Sequence, residues 1–130
     1  MAVGSKAREF ASQQVHYLRK GITFSDSGSA VDIGVIPAGS LILKPLSGVQ
    51  VETAFNAGTT NTIDVGTSAD PNLYGTALAA TAVAFVPLDE AVGMTVSADT
   101  TMTVTYNQTG TAASAGAAEV VIAYIPDNDG

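Results

Sequence analysis

"VQVETAF", residues 49–55, alternates along its length and puts Val49, Val51, Thr53 and Phe55 on one face. Successive side chains of an extended backbone point to opposite sides, so a period of two marks a strand. The same period recurs on both sides of this stretch. "VGMTVSA" (92–98) aligns Val92, Met94 and Val96, and "MTVTY" (102–106) aligns Met102, Val104 and Tyr106. "EVVIAYI" (119–125) sets Val120, Ile122 and Tyr124 opposite Val121, Ala123 and Ile125. Shorter apolar runs at 14–18, 30–36, 40–44, 61–65 and 82–88 fit further strands. Turn signals separate them: "DSGS" (26–29), "IPAGS" (36–40), "LSG" (46–48), "NAGTTN" (56–61), "SADT" (97–100) and "NQTG" (107–110). About eight or nine short strands at such spacing predict an all-β fold, an antiparallel β-sandwich or barrel. A jelly roll, two packed Greek-key sheets, fits the strand count best. A parallel α/β fold is disfavoured, because no helical stretch of crossover length separates the strands. The faces predict one core that contains Val51, Phe55, Ile63, Val96, Val104 and Ile122.

The composition agrees. The 130 residues are enough for one domain with a core that needs no staples. With no cysteine, disulfides and thiolate metal sites are excluded. Charged residues make up only 13%, and Ala, Val, Thr, Ser and Gly dominate, which suits closely spaced strands better than charged amphipathic helices. No apolar run approaches the length that spans a bilayer as a helix. "MAVGSKAREFASQQVHYLRK" (1–20) lacks the continuous apolar stretch of a secretion signal, so synthesis in a cytosol is expected.

The net charge of −7 conceals an asymmetry. All five bases, Lys6, Arg8, Arg19, Lys20 and Lys44, precede residue 45, and the nine acids after it meet no Lys or Arg. Such a body repels nucleic acid and anionic membrane. Its mildly basic start suits an acidic surface. "SKAREFASQQVHYLRK" (5–20) reads either as a helix or as an arm ending in a strand at Val15–Leu18, and the extended arm is the expectation. The predicted organisation is an N-terminal arm (1–20), a β-sandwich domain (21–126) and a C-terminal tail (127–130). "TGTAASAGAAE" (109–119) reads as a mobile hairpin tip or loop.

"NTIDVGTSADPNLYG" (61–75) gathers Asp64, Asp70 and several hydroxyls and is the stretch most like a site. It reads instead as a corner. Asn61–Val65 alternates as a strand, with Asp64 on the outside, and Gly66 ends it. Asp70 before Pro71 is the signature of a helix N-cap, and it predicts one short helix near 70–79. Asp70 is therefore expected to matter more for stability than Asp64. A calcium loop of the EF-hand type would need alternating carboxylates and a closing Glu, which are missing.

Other constellations are weaker still. His16 is the one imidazole, and an N-terminal arm is a poor platform for nucleophilic catalysis. Asp89 and Glu90 are adjacent, so on a strand they point apart, and in a turn they are solvated. "DNDG" (127–130) starts like a calcium loop and stops. The aromatic residues mostly fall on apolar strand faces and are expected in the core, and there is no Trp for a glycan platform. No catalytic residue, cofactor or metal is expected.

The segments "VIPAGSLIL" (35–43), "VQVETAFNAGTTNTIDVGTSADPNLYG" (49–75) and "AEVVIAYI" (118–125) together resemble the head decoration, or capsid cement, proteins of tailed bacteriophages. The resemblance implies a jelly roll or related β-sandwich that sits on the outside of an icosahedral capsid as a homo-oligomer, dimer or trimer. It implies the major capsid protein as partner and brings no catalytic residues. With the charge asymmetry, it makes Arg8, Phe10, Val15, His16, Tyr17, Leu18, Arg19 and Lys20 the candidate capsid or subunit interface. The alternative is a head-fibre or tail-associated adhesion module that contacts host glycans.

Overall fold

The period-two segments pair into two antiparallel sheets. The computed structural model describes residues 15–90 and 92–127. Its strands are β1 (His16–Thr23), β2 (Ala30–Ile36), β3 (Leu41–Ile42), β4 (Gly48–Thr53), β5 (Thr60–Thr67), β6 (Gly75–Ala79), β7 (Ala84–Pro87), β8 (Thr100–Thr109) and β9 (Ala117–Ile125). The first sheet runs β1-β9-β4-β7, with β3 also on β9, and the second runs β2-β8-β5-β6. With β3 and β4 counted as one strand, the chain passes back and forth between the sheets except at the β5–β6 hairpin, and this order is that of a jelly roll.

β3 and β4 form one strand with an interruption. Leu41 pairs with Ile125, and Gly48 pairs with Val121, both antiparallel along β9. The residues left over are taken up by a 3-10 turn at Lys44–Leu46, with Pro45 near its start. Buried Ser47 bridges the gap in the ladder. The Ala123 N–H donates to Ser47 Oγ at 3.0 Å, and that hydroxyl donates to the Leu43 carbonyl at 2.8 Å. A side chain thus supplies the acceptor for the Ala123 N–H where the ladder is interrupted, while the Leu43 carbonyl also accepts the Leu46 N–H.

The core lies between the sheets and contains all six residues that the faces predict, none more than 6% exposed. Phe55 and Tyr106 pack with ring centroids 4.4 Å apart. The Tyr106 hydroxyl donates to Asn61 Oδ1 at 2.6 Å, an atom that also accepts the Ala57 N–H. Burial raises the pKa of the Tyr106 phenol.

Four expectations need correction. The short helix near 70–79 is replaced by a turn and β6. The Tyr74 N–H donates to the Val65 carbonyl at 2.9 Å, so pairing with β5 resumes there. That ladder buries Tyr74 and Leu78 and satisfies the edge of β5, whereas an isolated helix of two turns is marginal. Residues 92–98 form no strand and make a single bridge, Thr95 to Leu41. Gly93 and the turn signal at Ser97 interrupt the run, although hydrogen bonds at Met94 and Val96 still strap it to residues 39–42. Phe24, Phe85 and Tyr17 are exposed rather than in the core, the last two because they take the outward side of edge strands. Finally, the boundary drawn between arm and sandwich at residue 20 falls inside β1, which pairs with β9 from His16–Tyr124 to Thr23–Ala117.

Candidate interaction surface

β1 carries five of the eight candidate interface residues, with Val15 directly before it, and its alternation divides them. Arg8 and Phe10 lie outside the described residues. Ile22 is buried, which fixes the inward side of the strand. Leu18, four residues earlier, takes that side and packs against the core and against Gly34. His16 stacks on Tyr124 with centroids 5.7 Å apart. Tyr17 and Arg19 take the outer side, Lys20 is exposed, and Val15 is exposed just before the strand. The structure therefore brings Tyr17 and Arg19 together on one surface and assigns Leu18 to packing.

That outer surface continues across the first sheet. Register places Tyr17 beside Ala123, and Arg19 beside Val121, Gly48 and Pro87. The next row is Gly21, Glu119, Gln50 and Phe85. The Phe85 ring lies over Gly48, where a Cβ would meet the ring and the Val86 carbonyl. At the other end Leu41 sits beside Ile125. The result is a mixed face, with exposed Tyr17, Leu41 and Phe85 at its margins and Arg19, Glu119 and Gln50 between them. Arg19 donates from Nη2 and Nε to Glu119 Oε1, at 2.6 and 3.2 Å, on this face. An exposed pair of this kind contributes only about 0–1 kcal/mol, so its effect is mainly to keep the face locally neutral. The sequence reading missed Glu119, Val121 and Phe85, because only cross-strand register shows that they share a face with Tyr17 and Arg19.

The corner stretch forms one wall of an open cleft of about 420 Å³. Thr67, Ser68, Ala69, Leu73 and Tyr74 face Thr95–Ser97 and Asp99–Thr101 across it. Burial raises the Tyr74 phenol above its ordinary pKa. Among the described residues Asp99 is the one carboxylate lining the cleft, and its Oδ1 accepts the Ala38 N–H at 2.9 Å. Among the described residues no His, Lys or Arg lines it. Asp64 and Asp70 do not converge on a ligand. Asp64 Oδ1 accepts the Ala77 N–H at 2.7 Å, and its Oδ2 accepts from Asn107 Nδ2 at 3.0 Å. Asp70 acts through its backbone: its carbonyl accepts from Thr67 and Leu73, and its N–H donates to Thr67 Oγ1. Asp89 is likewise engaged, with Oδ1 accepting the Thr76 N–H at 3.0 Å. Among the described residues no group of three or more His, Cys, Asp or Glu is arranged to hold a metal ion.

The loop expected to be mobile is tied down at several points. Asn56 Oδ1 accepts the N–H groups of Ser114 and Ala115, and Gln108 Oε1 accepts that of Ala113. Gly116, at φ +146°, leaves room for the Phe55 ring where a Cβ would collide with it. Together these contacts close one end of the sandwich.

No protein-family model and no curated protein sequence matches this chain. Among solved structures, a chain of the "Cyanophage Pam1 capsid asymmetric unit" is similar with a TM-score of 0.65. The alignment covers 87% of this chain and 85% of that one, at 17% sequence identity. At that identity the likeness establishes a shared fold over nearly the whole of both chains.

Proposed function

We propose that this protein is a structural virion component that binds the outer surface of a bacteriophage capsid as a homo-oligomer and reinforces the shell. The observation that carries the proposal is a jelly roll matching, along 87% of its length, a chain from a phage capsid asymmetric unit. The resemblance of residues 35–43, 49–75 and 118–125 to head decoration proteins supports the same reading independently of the fold. On this reading the partner is the major capsid protein and the protein has no enzymatic role. The acidic body after Lys44 faces solvent, and the segment holding Lys6, Arg8, Arg19 and Lys20 lies against the shell or a neighbouring subunit. A capsid repeats its surface many times, so individually weak contacts gain from multivalency.

Cosedimentation of the purified protein with undecorated phage heads tests the proposal. The full chain is expected to pellet with heads to a saturating, regular stoichiometry. Deletion of residues 1–14 leaves the β1 ladder intact and is expected to lower occupancy and make it more salt-sensitive. Full binding by the truncated chain removes the arm from the mechanism. Absence of binding by the intact chain overturns the capsid reading in favour of an adhesion module, for which glycan binding would then be measured.

A further inference from the structure

Among the described residues the two sheets end in four edge strands, β1 and β7 on the first and β2 and β6 on the second. An open edge offers unpaired N–H and C=O groups to any extended chain, so natural proteins blunt such edges with charge, bulges or cover. Three of the four are blunted here. β1 carries Arg19 and Lys20, and β2 carries Asp32 and a register break beside Gly34. β6 has a break between its pairs at Ile63 and Val65, and the N–H groups of its Thr76 and Ala77 are held by Asp89 and Asp64.

β7 carries neither charge nor bulge; it is four residues long, and its one blunting residue, Pro87, lies at its end, beyond the Val83–Phe85 stretch. It pairs with β4 without a break, from Gly48–Pro87 to Val51–Ala84, and residues 77–88 contain no charge. The Leu88 N–H donates to the Ser47 carbonyl, so by antiparallel alternation Val86 and Ala84 also bond towards β4. The backbone groups of Phe85, and of Val83 just before the strand, therefore point away from the sheet. Among the described residues no hydrogen bond reaches them from the free side. Their side chains are 45% and 65% exposed.

We propose that β7 is the edge through which a second copy of this chain docks, strand against strand and antiparallel about a two-fold axis. This deepens the homo-oligomer reading above by naming its surface. With Ala84 opposite its own copy, Val83 of each chain exchanges both backbone hydrogen bonds with the partner's Phe85. The two side chains then meet on the outer face as a β-branched–aromatic pair, twice by symmetry. Charge selects a second copy as the occupant. β1 against β1 would oppose Arg19 and Lys20 with themselves, and β2 against β2 would oppose Asp32. Along β7 the nearest acid on the face is Glu52, on β4 level with Val83, and three strand spacings plus a two-residue offset along the strands put it about 16 Å from its counterpart in the second copy. That exceeds the screening length of about 8 Å at physiological salt, so two acidic bodies meet here with little repulsion.

Two measurements on the free full-length chain test the contact. Sedimentation velocity at tens of micromolar is expected to show a dimer, and Val83→Lys to raise its dissociation constant at least about tenfold by placing charge opposite an apolar ring. Ala84→Cys introduces the sole thiol of the chain, because the protein has no cysteine. In the proposed register the two Ala84 residues form a non-hydrogen-bonded pair with Cα atoms about 4.5 Å apart, within disulfide range. Mild oxidation should therefore cross-link this variant quickly, and a Ser68→Cys control on the corner loop slowly. A monomeric or trimeric wild type overturns the proposal, as does equal cross-linking of the two cysteine variants. Should Val83→Lys fail to fold by circular dichroism, the cysteine pair decides alone. A dimer that ignores phage heads leaves the contact standing and removes the capsid reading, whereas a monomer that coats heads does the reverse.

Discussion

β6 and β7 follow one another in the chain, come from one run of small uncharged residues and border opposite sheets, yet their edges differ. β6 is irregular, with Ala77 at φ +54° and two amides that reach carboxylates outside the strand. β7 pairs with β4 without a break, and among the described residues nothing bonds to the backbone of Phe85 on its free side. Strand composition does not explain the difference, because both strands lack charge. What closes β6 is a pair of acids from elsewhere: Asp64 on neighbouring β5, and Asp89 just after β7. A carboxylate that accepts a backbone N–H occupies the donor that an incoming strand would need. An edge can thus be protected by residues that a local reading of the strand does not include.

The comparison breaks most completely where both strands share support. The Phe55 N–H donates at 2.9 Å to the carbonyl of Ala80, where β6 ends and the chain turns towards β7. Its ring packs on Tyr106 and fills the space left by Gly116. Phe55→Ala is expected to cost about 3–5 kcal/mol, as for other buried aromatic truncations. Urea unfolding measures this, and a loss below about 1 kcal/mol would show that the cavity collapses or that the ring is not part of the core.

A smaller change separates the two edges. Asp64→Ala removes the acceptor for Ala77 and for Asn107, leaving an amide of an irregular strand without its partner. The expected cost is about 2 kcal/mol, in the range for hydrogen bonds to charged groups. Asp64→Asn keeps one acceptor oxygen and should fall between wild type and Ala. Amide exchange distinguishes this from a general loss of stability. Ala77 should lose protection in the Ala variant beyond what the change in global stability explains, while the amides that β7 gives to β4 keep theirs relative to it. Equal loss at both strands would mean that Asp64 supports the whole sandwich rather than one edge.

The sequence conveyed the part of this architecture that depends on period-two alternation. Val49, Val51, Ile63, Val104 and Ile122 announce their faces, because a half-buried strand must put apolar residues on alternate positions. β6 was hidden for a physical reason. "YGTALA" (74–79) lacks clean alternation, since Thr76 and Ala77 bulge outward and only Tyr74, Gly75 and Leu78 are buried. The Asp70-Pro71 pair next to it has the chemistry of a helix cap, and only tertiary pairing with β5 overrides that local preference. The surface around Tyr17, Val121 and Phe85 was hidden differently. Its members come from β1, β9 and β7, and nothing in one strand records which residue of another lies beside it. Arg19 and Tyr17 were identified through charge and position, whereas Glu119, the partner of Arg19, sits 100 residues away.

The smallest expected effect tests whether the corner is read correctly. From sequence, Asp70 is the important carboxylate of "NTIDVGTSADPNLYG" and Asp64 the minor one, because an Asp before Pro caps a helix. The structure reverses the order. At Asp70 it is the backbone that holds the turn: the carbonyl accepts the Thr67 N–H at 2.9 Å, and the N–H donates to Thr67 Oγ1 at 3.0 Å. Among the described residues the Asp70 carboxylate has no hydrogen-bond partner, and the residue is exposed. Removing that side chain leaves every bond of the turn in place. Asp70→Ala is therefore expected to shift stability by less than about 0.5 kcal/mol, the range for surface positions without special contacts. Thr67→Ala, which removes the hydroxyl acceptor, should cost more than Asp70→Ala at the same corner. Thermal melts of the two variants side by side settle the order. If Asp70→Ala loses about 1 kcal/mol while Thr67→Ala is silent, the carboxylate caps the turn after all and the backbone account of this corner fails.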